Sequence, residues 1–248
     1  MVLSLPRWIA HRGGGSLAPE NTLAGIRLAA HLGYRAVEFD VMLSADATPV
    51  LIHDETLART TNGTGRVCDT PDRQLFALDA GDGERIPTLD EALRLCAELH
   101  LLANVEIKPA DGYERQTAEI VARRCSRSVP EAGGFAVLLS SFSRVALEVA
   151  RDCAPSVPRG MLFEVVPADW RELLRTLGAV TLHCSAACLD PIRLVEARAA
   201  SIPVLCYTVN RPDEAKKLLA AGVSGMFTDA LDLFVDETTA YNPLHFSG

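Results

Sequence analysis

The chain alternates between short apolar runs and longer stretches in which apolar residues recur every three to four positions. The first pattern predicts buried β-strands and the second predicts amphipathic helices. The predicted strands are 8–12, 36–41, 103–108, 135–141, 159–164, 179–184, 203–209 and 225–229. The predicted helices are 89–100, 113–126, 143–153, 168–177, 190–200 and 212–221, with one helix opened by Pro19-Glu20-Asn21-Thr22 before them and a last helical turn at 230–236.

Eight strands that alternate with helices predict an α/β fold of the (β/α)₈ type, the TIM barrel. Several of the strands are near-continuous apolar runs, as expected where both faces of a parallel strand are buried. A chain of 248 residues has the length of one such barrel. We therefore expect a single domain over residues 1–248.

Two internal segments depart from this alternation. Residues 49–53 form an apolar run, but only residues 44–48 separate them from the preceding strand. A parallel crossover needs a dozen or more residues, so we expect an antiparallel hairpin. Residues 55–87 are rich in Thr, Asp, Gly and Arg, lack long periodicity, and predict a small insertion over one end of the domain. The tail, residues 241–248, is expected to be a loosely held surface segment.

Composition restricts the possible partners. The chain is 48% hydrophobic and 23% charged, which is typical of a globular protein, and its formal net charge is −8. An acidic chain without a Lys/Arg run argues against a nucleic-acid partner. Seven scattered cysteines without C-x-x-C spacing indicate a reducing compartment. With no signal sequence and no apolar run long enough for a span, we predict a cytoplasmic protein without stable membrane association and leave the oligomeric state open.

Two closely spaced carboxylates stand out in the second strand. Glu38 and Asp40 lie two residues apart, so both side chains leave the same face of the strand. Like charges at this spacing repel unless a cation lies between them, and paired oxygen ligands suit Mg²⁺ or Ca²⁺. Glu106 and Lys108 share a face of the third strand in the same way. The alternative for Glu38 and Asp40 is a half-exposed strand with its polar face in water.

In a (β/α)₈ barrel the chemistry lies at the carboxyl ends of the strands. The polar residues expected there are His11, Arg12, Glu38, Asp40, His53, Glu106, Lys108, Ser140, Ser141, Glu164, His183, Tyr207, Asn210 and Asp229. The three carboxylates of the second and third strands can hold a divalent cation. Arg12 and Lys108 can neutralise a phosphate, and His11 and His53 can act as general acid and base. Each residue alone could serve a salt bridge or a structural hydrogen bond, but their co-location favours phosphodiester cleavage.

A series of motifs, in order over nearly the whole chain, resembles the glycerophosphodiester phosphodiesterases. The motifs are His11-Arg12-Gly13, Pro19-Glu20-Asn21-Thr22, Glu38-Phe39-Asp40, His53-Asp54, Glu106-Ile107-Lys108, Ser141-Phe142, Tyr207-Thr208-Val209-Asn210 and Thr228-Asp229. The first two form a highly specific pair. The short, signal-free chain looks like the cytosolic bacterial type that is associated with glycerol-phosphate uptake.

The resemblance implies a (β/α)₈ barrel with an insertion after the hairpin that carries His53. It also implies metal-dependent hydrolysis of a glycerophosphodiester to sn-glycerol 3-phosphate and an alcohol, in phospholipid and glycerol metabolism. By position, His11 and His53 correspond to the acid/base pair. Glu38, Asp40 and Glu106 correspond to the ligands of one divalent cation, Mg²⁺ or Ca²⁺, with Mn²⁺ as a further candidate.

The resemblance also implies substrate-binding residues. Arg12 and Lys108 would hold the phosphate, and the ring of Tyr207, where many relatives have Trp, would wall the glycerol or the leaving group. The sequence leaves open which histidine is the acid and whether the nucleophile is water or the substrate's 2-hydroxyl. One rival is a phospholipase D-like activity on lysophospholipids, which the lack of an amphipathic basic helix disfavours. Another is a non-catalytic barrel that binds a phosphorylated ligand, although every expected site residue is present.

Overall fold

The strands close into a barrel. A computed structural model describes residues 5–128 and 136–235. Its strands are β1 (Trp8–Ala10), β2 (Ala36–Leu43), β3 (Pro49–Leu51), β4 (Leu102–Ile107), β5 (Val137–Ser141), β6 (Arg159–Phe163), β7 (Thr181–Ser185), β8 (Val204–Tyr207) and β9 (Gly225–Thr228). All except β3 pair in parallel in chain order, and β9 pairs back onto β1. The predicted (β/α)₈ barrel is confirmed.

Helices connect the barrel strands. They are α1 (Leu23–His31), α2 (Asp72–Leu75), α3 (Leu89–Glu98), α4 (Glu114–Ser128), α5 (Arg144–Cys153), α6 (Trp170–Leu177), α7 (Pro191–Ala199) and α8 (Pro212–Ala221). Thr22 caps α1 by accepting a hydrogen bond from the backbone N–H of Gly25, so the Pro-Glu-Asn-Thr motif ends at the helix start. The predicted helices from residue 89 to 221 agree with these bounds within two residues, the usual uncertainty of helix ends.

The predicted last helical turn is a 3₁₀ helix over Leu231–Phe234. Residue 135 of the predicted fourth barrel strand, residue 236 of that turn and the tail at 241–248 lie outside the described residues. Within the two described ranges, no helix is both long and apolar enough to cross a membrane.

Strand β2 shows how the fold divides apolar and acidic side chains. Val37, Phe39 and Val41 join the large apolar cluster that also includes residues of the surrounding helices. Glu38 and Asp40 take the alternate positions, which face the barrel interior. A separate apolar cluster contains interior positions of other strands, such as Ile9, Leu102, Leu138, Leu205 and Phe227. The acidic pair is therefore built into a barrel whose interior also contains apolar side chains.

Strand β3 and the segment after it lie beside the barrel. As predicted from the short connection, β3 pairs antiparallel with β2, Val41 facing Leu51 in register. Residues 55–87 contain a 3₁₀ turn at Val67–Asp69 and the single turn of α2. An apolar cluster joins this insertion to the hairpin: Met42, Val50, Ile52, Leu57, Val67, Leu75, Ala80 and Ile86. Its members are spread over short elements, which explains the lack of periodicity in the sequence.

Candidate active site

Three carboxylates meet at the carboxyl ends of β2 and β4. One oxygen each of Glu38, Asp40 and Glu106 lies within 4.8 Å of the others, and Asp40 and Glu106 are register partners on the neighbouring strands. These residues are 3%, 2% and 8% exposed, respectively, so the alternative of a half-exposed polar strand face is wrong. Within residues 5–128 and 136–235, no other cluster of His, Cys, Asp or Glu has this form.

The electrostatics of the acidic cluster fit a bound cation. Burial, followed by the charges of Asp40 and Glu106, raises the pKa of Glu38 well above its ordinary value. Burial and Asp40 raise the pKa of Glu106 to about 8. One buried oxygen of Glu38, Oε1, has no hydrogen-bond partner, which is costly in a protein interior. Three hard oxygen donors with an unpaired buried atom suit Mg²⁺ or Ca²⁺.

Neighbouring groups hold the acidic cluster in place. Asn21 donates from Nδ2 to Oδ2 of Asp40 at 2.9 Å and accepts from the Asp40 backbone N–H at 3.0 Å. Lys108 Nζ lies 3.5 Å from Oδ1 of Asp40, and the backbone N–H of Arg12 donates to Oε2 of Glu38 at 2.9 Å. Burial alone would raise the pKa of Asp40, but Lys108 and other polar neighbours lower it below its ordinary value.

His11 follows β1 and is paired with the carboxylate of the residue that follows the last barrel strand. Its Nδ1 lies 2.6 Å from Oδ1 of Asp229, and its Nε2 lies 3.8 Å from Oε2 of Glu38. Asn210 donates to the other oxygen of Asp229 at 3.1 Å. Burial works against ionisation of Asp229, yet the hydrogen bond with His11 leaves its pKa below the ordinary value. Sequence reasoning placed Asp229 at a strand end, as a supporting or substrate-contacting candidate outside the core set.

His53 makes an equivalent pair with a neighbouring carboxylate. Its Nδ1 lies 2.6 Å from Oδ1 of Asp54, the next residue in the chain. Burial lowers the pKa of His53, although the charge of Asp40 opposes the shift. The ring is therefore mostly neutral at pH 7. The hydrogen bond from Arg59 is the main reason that the pKa of Asp54 lies below its ordinary value. Asp54 belongs to the His53-Asp54 motif, whereas nothing in the sequence singled out Arg59.

A single cavity brings these groups together. It has a volume of about 180 Å³, and the eight residues to which the sequence assigned a role all line it: His11, Arg12, Glu38, Asp40, His53, Glu106, Lys108 and Tyr207. Phe142 forms part of its wall, edge-on to the ring of Tyr207 with centroids 6.0 Å apart. The hydroxyl of Tyr207 donates to the backbone carbonyl of Phe163 at 2.8 Å, which fixes the ring. Asn104, also missed from the sequence, lines the cavity beside the acidic cluster.

Fold and site together define a (β/α)₈-barrel protein with a buried acidic cluster, two cationic side chains and two histidine–carboxylate pairs at one mouth. The sequence model of the Glycerophosphoryl diester phosphodiesterase family matches residues 11–233. The chain belongs to this family, and the resemblance seen in its motifs is confirmed. It is 33% identical over 233 residues to the glycerophosphodiester phosphodiesterase of Caldanaerobacter subterraneus subsp. tengcongensis, covering 89% of this chain and 93% of the relative.

Solved structures of relatives share the same architecture. A phosphodiesterase from Oleispira antarctica, in complex with the product sn-glycerol-3-phosphate, superposes with a TM-score of 0.90 at 36% identity, covering 95% of this chain and 97% of the relative. A glycerophosphodiester phosphodiesterase from Agrobacterium tumefaciens superposes with a TM-score of 0.75 at 27% identity, covering 94% and 100%, respectively. These values confirm the prediction of an enzyme family built on the (β/α)₈ barrel.

Proposed function

We propose that the protein is a metal-dependent glycerophosphodiester phosphodiesterase that releases sn-glycerol 3-phosphate and an alcohol. The observation that carries the proposal is the meeting of a buried carboxylate cluster and two histidine–carboxylate pairs around one cavity of about 180 Å³. The product named in the Oleispira antarctica complex supports the same substrate class for this chain.

The cavity offers separate groups for the charged and uncharged parts of such a substrate. Arg12 and Lys108 would bind the non-bridging phosphate oxygens, since both side chains reach the cavity as cations. The carboxylate cluster of Glu38, Asp40 and Glu106 would hold one divalent cation, Mg²⁺ or Ca²⁺, with Mn²⁺ as a further candidate. When bound, the cation would polarise the phosphoryl oxygens and help to orient a glycerol hydroxyl. Tyr207 would wall the glycerol or the leaving group.

The two histidines would move the protons. Each Nδ1 faces a carboxylate at 2.6 Å, which orients the ring and leaves Nε2 to exchange a proton with the substrate. One histidine, His11 or His53, would take the proton of the nucleophile, which is water or the substrate's 2-hydroxyl. Attack by the 2-hydroxyl would give a cyclic phosphate, which a water molecule would then open to sn-glycerol 3-phosphate. The other would give a proton to the departing alkoxide, so that the bond to the alcohol breaks without a free alkoxide.

Metal dependence is tested by the release of sn-glycerol 3-phosphate from glycerophosphocholine. We expect purified protein to lose this release in EDTA and to recover it with Mg²⁺, Ca²⁺ or Mn²⁺. Release that persists after exhaustive chelation would contradict metal dependence. A protein that releases no product with any of the three cations would contradict the proposed activity.

The histidine roles are tested by substitution. We expect His53→Ala and His11→Ala each to lower kcat by about 10²–10⁴-fold, the usual contribution of general acid–base catalysis. His31→Ala is the matched control, because His31 is exposed in the last turn of α1. Near-normal turnover of the His53 variant would contradict its assignment.

The cellular setting remains a proposal from the sequence. It comprises a cytoplasmic location, a role in phospholipid and glycerol metabolism, no nucleic-acid partner and no stable membrane association. Fractionation of cells that express the full chain tests the location: we expect the protein and the phosphodiesterase activity in the cytosolic fraction. Recovery of most of the protein with the membranes would contradict this setting.

A further inference from the structure

Arg59 lies in the insertion, yet its guanidinium binds two carboxylates that are hydrogen-bonded to cavity residues. Nε and Nη2 donate to the two oxygens of Asp54 at 2.6 and 3.0 Å. Nη1 and Nη2 donate to the two oxygens of Glu20 at 2.7 Å each. Both interactions are bidentate, the geometry for which the planar guanidinium is suited and a lysine is not. One side chain from the insertion therefore ties together two separate loops of the barrel mouth.

Each of these carboxylates in turn holds a residue that lines the cavity. Asp54 Oδ1 lies 2.6 Å from Nδ1 of His53. The two oxygens of Glu20 accept from Nη1 of Arg12 at 3.1 and 3.2 Å. A continuous chain of hydrogen bonds therefore runs from His53 through Asp54, Arg59 and Glu20 to Arg12. The chain of hydrogen bonds ends at His53, a proposed proton-transfer group, and at Arg12, a proposed phosphate ligand.

A comparison within the insertion shows that this arrangement is specific. The side chains of Arg59 and Arg66 are similarly exposed, at 46% and 43%. Arg66 makes only longer contacts, 3.4 Å to Glu55 and 4.0 Å to Asp69, whereas the partners of Arg59 are hydrogen-bonded to the cavity residues His53 and Arg12. Isolated exposed ion pairs contribute little, so only the shared, bidentate geometry of Arg59 suggests a role beyond the surface.

We propose that Arg59 is a positioning residue that orients His53 through Asp54 and Arg12 through Glu20. The proposal rests on the proposed function and deepens it, because it assigns the insertion a part in completing the site. His53 follows β3 and Arg12 follows β1, so the two groups come from different loops. Without the guanidinium, each carboxylate would lose two of its hydrogen bonds and would hold its cavity residue less firmly.

The proposal predicts a split between the two kinetic constants. Weaker orientation of His53 lowers kcat, because a misplaced proton-transfer group slows the chemical step. Weaker orientation of Arg12 raises KM, because phosphate binding is lost. Arg59→Ala should therefore change both constants, whereas Asp54→Asn should act mainly on kcat and Glu20→Gln mainly on KM. If Arg59 only stabilised the fold, the three variants would not divide their effects between kcat and KM in this way.

The experiment measures kcat and KM for glycerophosphocholine at saturating divalent cation. We expect Arg59→Ala to lower kcat/KM by about 100-fold, the scale of a 1 Å misplacement in an active site. Arg59→Lys should recover part of this loss, since one ammonium cannot serve both carboxylates in a bidentate manner. Arg66→Ala is the matched control and should stay within about twofold of the wild type, as expected for an exposed ion pair.

Double variants show whether Arg59 acts through its partners. Adding Arg59→Ala to Asp54→Asn should lower kcat little further, and adding it to Glu20→Gln should raise KM little further. Fully additive effects would overturn the proposal, as would an Arg59→Ala variant with unchanged kcat and KM. The thermal unfolding midpoint of each variant identifies loss of fold, and Arg59→Lys supplies the comparison if the alanine variant does not fold. A wild-type protein without activity would instead overturn the proposed function.

Discussion

Nδ1 of His11 lies 2.6 Å from Oδ1 of Asp229, although 218 positions separate the two residues in the chain. Closure of the barrel creates this pair: β1 and β9 are neighbours, and Ala10 is in register with Thr228. A carboxylate at Nδ1 keeps the ring proton on that atom when the ring is neutral. Nε2 is then left with its lone pair on the side of Glu38, where the proposed substrate would lie.

We expect Asp229→Asn to lower kcat by up to about 10⁴-fold, the loss seen when an amide replaces the carboxylate that fixes the tautomer of a catalytic histidine. An amide can donate as well as accept, so it no longer fixes the tautomer of His11. Stopped assays of sn-glycerol 3-phosphate release at saturating substrate measure this loss.

The control for this substitution is Asp213→Asn. Asp213 pairs with Arg211 on the exposed start of α8. The Asp213 variant should retain the kcat of the wild type. Equal kcat values for the Asp229 variant and the wild type would show that the carboxylate does not control His11.

The sequence predicted those features of the barrel that depend on local patterns. Alternation in β2 separates Glu38 and Asp40 from Val37, Phe39 and Val41, and that division is present in the structure. The hairpin followed from the short connection between its strands, a constraint of chain length alone. The strand-end rule and the motif resemblance together named the eight residues with a role in the site, all of which line one cavity.

The connections between site residues could not be read from local patterns. Asp229 meets His11 only because the barrel closes, and Arg59 meets Glu20 only because the insertion folds back over the first loop. In the sequence, Arg59 is a lone arginine in a Thr- and Gly-rich segment, and nothing distinguishes it from any other exposed charged residue. Asp54 was visible as part of a motif, but its 2.6 Å contact depends on the orientation of the His53 ring.

We expect Lys108→Gln to raise KM for glycerophosphocholine by about 10- to 100-fold, because a hydrogen bond to a charged group contributes about 1.5–3 kcal/mol. Lys108 follows β4, and its Nζ lies 3.5 Å from Asp40 at the cavity. Initial rates over a range of substrate concentrations separate KM from kcat.

The control for Lys108→Gln is Lys216→Gln, because Lys216 lies on the exposed face of α8. It changes the net charge equally but removes no group from the cavity, so KM should stay the same. An unchanged KM in the Lys108 variant would contradict its role as a phosphate ligand.

We expect the metal-free protein to lose stability as the pH rises from 4.5 to about 8, the ordinary and folded-state pKa values of Glu106. A raised pKa means that the folded state holds the proton more tightly than the unfolded chain does. The contribution of this proton is complete below pH 4.5 and is lost as the pH passes through about 8. Thermal unfolding of the EDTA-treated protein across this range measures the loss.

Two comparisons isolate the part due to Glu106. Glu106→Gln cannot ionise, so its unfolding midpoint should fall less steeply over the same range. In the wild-type protein, a divalent cation should raise the unfolding midpoint at high pH back towards its value at low pH. The cation takes the place of the proton at the carboxylates. Identical pH profiles for wild type and variant would contradict the raised pKa.

We expect Gly15→Ala to impair both stability and kcat. Gly15 has φ +56°, and a Cβ atom there would collide with the backbone carbonyl of Asp229. The backbone N–H of Ser16 donates to the same carbonyl at 2.8 Å, so this turn of the first loop is fitted closely against the end of β9. Displacing Asp229 would move the partner of His11. Chemical denaturation and steady-state kinetics on the same preparation measure both effects.

Gly112→Ala separates the collision from the cost of the backbone conformation. Gly112 has φ +85°, but nothing lies within 4 Å of a Cβ placed there. A side chain in the left-handed region costs about 1–2 kcal/mol, so both variants should lose stability of this order. Only Gly15→Ala should also lose kcat, since only its methyl group would push against Asp229. Equal loss of kcat in the two variants would indicate general destabilisation, and normal kcat in both would show that His11 tolerates movement of its partner.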